Sequence, residues 1–129
     1  MGTVKRFEDL DVWKLSRTLC LRVGKIIGNG NLKNNYRLIS QLEGSSGSIM
    51  DNIAEGFERG TKGEFIQFLG YAKGSCGELR SQLYRILDRN CINKDEFDEL
   101  HDLSTRVSAM IQKLIAYLQQ TTIKGIRNK

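Results

Sequence analysis

The sequence predicts an all-α protein, an antiparallel up-down-up-down four-helix bundle. Three observations carry this. Apolar residues recur at three- and four-residue intervals along four long stretches, the spacing of a buried helical face. Short clusters of glycine and asparagine separate the stretches. No extended run alternates apolar and polar residues with the period of two that a half-buried strand needs.

The first stretch runs through Val12, Leu15 and Leu19, then Arg22 or Val23, then Ile26. Gly28-Asn29-Gly30-Asn31 and Asn34-Asn35 mark the loop after it. The second places Leu38, Leu42, Ser45, Ile49, Asn52 and Gly56 on one seam, and Gly56, Gly60 and Gly63 bracket the next loop. The third is the most regular: Phe65, Leu69, Ala72, Cys76, Leu79, Leu83 and Ile86 follow a coiled-coil-like 3.5-residue period. Its start is signalled by Thr61-x-x-Glu64, the capping-box pattern that satisfies free backbone N–H groups. Asn90 to Asn93 marks the third loop. The fourth stretch opens with Asn93-x-x-Glu96 and continues Phe97, Leu100, Leu103, Val107, Ile111, Leu114 and Leu118. Short loops between long helices make neighbours antiparallel. Proline is absent, so nothing forces a break within a helix.

At 129 residues the chain fits one domain, residues 1–129, with a short N-terminal lead-in and a basic C-terminal tail. A composition of 40% hydrophobic and 27% charged residues excludes disordered and membrane-spanning classes. Met1 to Leu10 has mixed charge and no apolar run, so no signal peptide is expected and the cytoplasm is the expected compartment. Cys20, Cys76 and Cys91 form no C-x-x-C pair and read as small buried hydrophobes in a reducing interior. The lone His101 lies among Asp98, Glu99 and Asp102 and reads as a solvated helix position; the ligands for a zinc site are lacking. No metal or cofactor is expected.

Net charge is +5, unevenly spread. From Val12 to Leu42 there are six basic residues (Lys14, Arg17, Arg22, Lys25, Lys33 and Arg37) and no acid. Lys113, Lys124, Arg127 and Lys129 make the C-terminal end basic as well, whereas Asp95, Glu96, Asp98, Glu99 and Asp102 form an acidic patch. Separated charge of this kind suits a polyanion or a second copy of the chain. Lys14 and Arg17 share one helical face. Arg59 and Lys62 in the second loop, with Lys73 and Arg80 one heptad apart on the third helix, are candidates to extend that surface in an oligomer. The alternative is ordinary solubilising charge.

Opposite the third seam runs a stripe of Gly70, Gly74, Gly77 and Ser81. Three glycines inside a helix forgo roughly 3 kcal/mol relative to alanine. Close approach by another helix, from a second copy, offsets that loss; tolerated surface glycine is the alternative. Asn52 on the second seam reads as a hydrogen-bonded register-setter or, less simply, a ligand contact. Glu55 and Glu78, near the seam edge, can pair with Arg22 or Arg80. No nucleophile accompanies them, so a structural ion pair is preferred to acid–base catalysis. The two Glu-x-x-His motifs of a di-iron bundle are missing.

Ser48-Ile49-Met50-Asp51-Asn52-Ile53-Ala54-Glu55-Gly56-Phe57 resembles the S-I-x-x-N-I-A-E-G-F signature of the four-helix proteins encoded in intervening sequences of bacterial 23S ribosomal RNA genes. Phe7-Glu8-Asp9-Leu10-Asp11-Val12-Trp13 is similar to that family's opening. Glu64-Phe65, Phe68-Leu69, Ala72, Gly74-Ser75, Glu78-Leu79 and Gln82-Leu83 resemble its third helix. The resemblance implies a ring-like homo-oligomer, often a pentamer, and RNA binding; a related accessory protein of diversity-generating retroelements binds nucleic acid and a reverse transcriptase. Glu43-Gly44 stands where many relatives carry Arg-Arg, which removes positive charge from the second helix. Met50 stands in place of a common proline, so a straighter second helix is expected.

Together these readings point to a non-enzymatic, homo-oligomeric bundle that binds structured RNA, or DNA, through its phosphates. It needs no small-molecule substrate and no membrane. A protein-interaction scaffold without nucleic-acid binding is the alternative.

Overall fold

The computed structural model describes residues 4–120. The basic tail with Lys124, Arg127 and Lys129 lies outside the described residues. A single 3-10 turn, Phe7–Asp9, leads into four helices: α1 (Asp11–Gly28), α2 (Tyr36–Glu58), α3 (Lys62–Asp88) and α4 (Lys94–Gln120). Among the described residues there is no strand, and no helix is long and apolar enough to cross a membrane.

Consecutive helices pack side by side and α4 returns to α1, so the bundle closes as a square. Across its diagonals, no Cα of α1 comes within 8 Å of α3, and none of α2 within 8 Å of α4. One continuous core fills the middle, with Leu19, Leu42, Ile49, Leu69, Leu79, Leu83 and Ile111 fully buried. The third seam is buried at every expected position from Phe65 to Ile86. In α1 the open choice resolves to Val23, which is buried, while Arg22 reaches sideways to Glu99 of α4.

The second seam departs from its expected register. Ile53, not Asn52, follows Ile49 into the core. The helix buries Ile49, Ile53 and Gly56, a four-then-three spacing that puts an apolar side chain in the core in place of an amide. Asn52 is consequently half-buried on the α2–α3 boundary, where its amide donates to the Ser48 carbonyl and to Ser48 Oγ, both at 2.8 Å. It braces its own helix rather than the core.

Helix starts follow local chemistry. Asn93 and Glu96 cap α4 reciprocally, each side chain accepting from the other's backbone N–H at 2.8 and 2.9 Å. At α3, Thr61 Oγ1 accepts from the Glu64 N–H at 3.3 Å and its hydroxyl donates to the Glu64 carboxylate at 2.9 Å. The second loop is tighter than its glycines suggest: α2 runs through Gly56 to Glu58 without interruption. Gly60, at φ +82°, makes the turn.

Buried side-chain nitrogen and oxygen atoms are all hydrogen-bonded among the described residues. Ser45 donates to Gln82 at 2.6 Å across α2 and α3, and Ser104 of α4 donates to the Cys76 carbonyl at 3.1 Å. Such bonds specify which helix faces which, because a slip would leave each partner unpaired at a cost of about 1–3 kcal/mol.

Candidate nucleic-acid interface

Burial of Val12, Ser16, Leu19 and Val23 turns the opposite side of α1 to solvent. Lys14, Arg17, Leu21 and Lys25, spaced three, four and four residues apart, form that outer stripe. The three cations are exposed, and none forms an ion pair with a described carboxylate. Arg17 lies 5.9 Å over the Trp13 ring, which orients its guanidinium. Leu21, 60% exposed, stands between Arg17 and Lys25. Two shallow depressions meet at Arg17 and Leu21. One follows Trp13, Lys14 and Thr18; the other is floored by Cys20, Gly24 and Met50. Glu43 borders the second, so one acid lies beside this stripe.

Lys33 and Arg37 continue the positive charge onto the end of the bundle. Lys33 sits in the loop after α1 and Arg37 in the first turn of α2; both are exposed, and neither meets a described carboxylate. Leu32, fully buried, pins the loop beneath them.

The other expected cations lie on other elements, and two of them are already engaged. Arg59 is held between Glu55 at 3.2 Å and Glu64 at 3.3 Å, with Phe68 5.0 Å below it. Its charge is already balanced. Lys62, half-buried, starts α3 at the same end; Arg59 and Arg37 are separated by roughly 33 Å of helix at 1.5 Å per residue. Lys73 is exposed on α3, diagonally across from α1. Half-buried Arg80 donates to Ser104 Oγ at 3.4 Å and bridges α3 to α4. The acidic patch on α4 is also largely compensated: Asp98 meets Lys94 at 2.6 Å, Asp102 meets Arg106 at 3.9 Å, and Glu99 holds Arg22. These are surface pairs, each contributing little to stability.

Glu55 therefore pairs with Arg59 rather than Arg22 or Arg80, and Glu78, exposed on α3, forms no ion pair among the described residues. The glycine stripe divides in two. A Cβ at Gly70 or Gly74 would meet nothing within 4 Å, and Ser81 is exposed on the same helix; Gly77 is half-buried, and a Cβ there would sit 3.7 Å from the Arg80 guanidinium. Gly56 has a different reason to exist. A Cβ there would sit 2.6 Å from Cβ of Phe68, so α2 lies against α3 only because that carbon is missing.

Cys76 is buried, and desolvation pushes its thiol up to about 11, against smaller lowering contributions from Arg80, the Ser104 hydrogen bond and Lys73. Cys91 is buried and Cys20 half-buried. His101, expected in solvent, is half-buried against Phe97 and Tyr84, with ring centroids 5.3 and 5.7 Å away. Among the described residues no cluster of three acidic, histidine or cysteine side chains could hold a metal ion. Leu21, Trp13 and Tyr36 are the surface residues that periodicity passes over; Leu21's signal is an apolar residue out of phase with its own seam.

Fold and surface define a small four-helix bundle with a connected basic stripe along one outer helix and one loop. A family model for the 23S rRNA-intervening sequence protein matches residues 8–113, and the chain belongs to that family. A solved structure of a protein of unknown function, from the S23 ribosomal protein family of Bacteroides thetaiotaomicron, shares the fold. It is 20% identical, with a TM-score of 0.73 over 81% of this chain and 97% of that one. No curated protein was found to match.

Proposed function

We propose that this chain is a non-catalytic, self-associating bundle that binds structured RNA through backbone phosphates, using Lys14, Arg17, Lys25, Lys33 and Arg37. One observation carries the reading: these five exposed cations run along one helix and onto the adjoining loop, and none meets a described carboxylate. A phosphate backbone docking here displaces its own counterions without breaking an ion pair, and that release drives association. The family's name, which ties it to intervening sequences of 23S rRNA, supports RNA over other polyanions. Open space over Gly70 and Gly74 supports self-association, with a ring of copies as the resemblance implies; in such a ring Lys73 of other copies adds to the positive surface. No cofactor or small substrate has a part in this reading.

The test is fluorescence anisotropy with a labelled structured RNA across a salt series. Replacing Arg17 and Arg37 with glutamate weakens binding strongly. It also lowers the slope of log affinity against log salt by roughly 0.7–0.9 for each phosphate no longer neutralised. Melting temperature stays near wild type, because exposed charges stabilise little. Equal affinity of mutant and wild type at low salt excludes this surface. The same open glycine face also suits a scaffold that binds only protein; a wild type that binds neither RNA nor DNA at low salt selects that reading.

A further inference from the structure

Tyr36 is the most exposed of the large hydrophobic side chains described, at 74%. It occupies the first position of α2, between the loop cation Lys33 and Arg37. Its hydroxyl makes one long contact, to Asn34 Oδ1 at 3.4 Å, and its ring stacks on no other aromatic side chain among the described residues. Exposure on this scale costs burial energy that an inward-facing aromatic would recover. The loop before it is tied down by burial and hydrogen bonds. Leu32 is fully buried, Asn35 N–H donates to the Leu32 carbonyl at 2.9 Å, Lys33 N–H to Gly30 at 3.1 Å, and Asn31 N–H to Asn29 Oδ1 at 2.9 Å. A flat ring exposed at the start of α2, flanked in sequence by two exposed cations without a described carboxylate partner, has the parts of a nucleobase platform: the cations take phosphates and the ring takes a base face.

We infer that Tyr36 stacks on an unpaired base, so that the RNA bound here carries a loop, bulge or single-stranded end beside its duplex. This rests on the RNA-binding reading and adds the feature that is recognised. A paired base inside a duplex offers no free face to Tyr36, whereas an unstacked one does. Phosphate contacts along α1 would then hold the helical part while the loop end of the bundle holds the unpaired nucleotide.

The experiment compares two RNAs on the full chain: a hairpin with 2-aminopurine in its loop and a blunt duplex of the same length. Wild type is expected to bind the hairpin more tightly and to quench the 2-aminopurine. Tyr36→Ala should lose roughly 5- to 100-fold in hairpin affinity and lose the quenching, with duplex affinity unchanged. Tyr36→Phe keeps the ring and should behave as wild type. Tyr71→Ala, on α3, is the control and should change neither RNA. An unchanged hairpin affinity for Tyr36→Ala, or an equal loss on hairpin and duplex, overturns the inference while leaving RNA binding intact. A wild type that binds neither RNA overturns the parent reading, and this one with it.

Discussion

Replacing Gly56 with alanine adds one carbon where α2 lies against α3. That carbon would sit 2.6 Å from Cβ of Phe68 and 3.2 Å from Cδ1 of Phe65. Carbon atoms rest at about 3.5–4.0 Å, so the first overlap is about 1 Å. A side-chain tip could rotate away, but Cβ of Phe68 is fixed to its backbone, so the two helices must separate. Overpacking of this kind costs about 1–3 kcal/mol, and a clash with a fixed atom belongs at the upper end. Alanine returns about 1 kcal/mol through its better helix propensity. The net is a loss of about 2 kcal/mol, or roughly 8 °C in Tm for a chain of this size. Gly44→Ala is the matched control, since it lies on the same helix with nothing within 4 Å. It should gain up to about 1 kcal/mol, because only the propensity contribution applies. Thermal unfolding followed by far-ultraviolet circular dichroism measures both, at one protein concentration because the proposed self-association would make Tm depend on it. If Gly56→Ala melts at or above wild type while Gly44→Ala shows its rise, the close approach of α2 and α3 is wrong.

Leu79 is fully buried in the third seam, so Leu79→Asp places a charge in the core without a partner and should abolish the cooperative melting transition; a native-like melt would refute the seam. Gly74→Leu projects into open space on the single chain and should leave helicity intact while shifting the protein towards monomer, as read by light scattering after size exclusion. An unchanged mass for mutant and wild type would exclude that face from assembly. Burial keeps the Cys76 thiol neutral up to about 11, against an ordinary 9.0. Between those values the unfolded chain gives up this proton and the folded chain keeps it, so stability should fall as pH rises from about 9 towards about 11. Urea unfolding across that range should show a shallower decline in Cys76→Ala, and identical pH dependence would rule the thiol out as the cause.

How far the sequence alone reaches is clearest helix by helix. The seam of α3, the capping box before α4, the Thr61 cap of α3 and the first and third loops were legible, because each depends on residues within a turn or two of one another. The signature around Asn52 and Gly56 was legible as a pattern but not as a cause. Gly56 matters because of Phe68, twelve residues away on another helix, and Asn52 yields the core position to its apolar neighbour Ile53, a choice made by packing against the other helices. The basic run from Val12 to Leu42 was visible as composition. Which of its members are available was not, since Arg22 is taken by Glu99 from the far end of the chain.

The sequence by itself determined the number of helices, their inward faces and the excess of positive charge, all properties that propensity and periodicity write locally. The tertiary structure decided which charges stand together. It set α1 and α3 on opposite corners, so Lys14 and Lys73 face apart, and it neutralised Arg59 between two carboxylates. It also left Tyr36 and Leu21 uncovered. Ion pairing, diagonal placement and exposure depend on residues brought close only by packing, and a one-dimensional pattern carries no record of that distance.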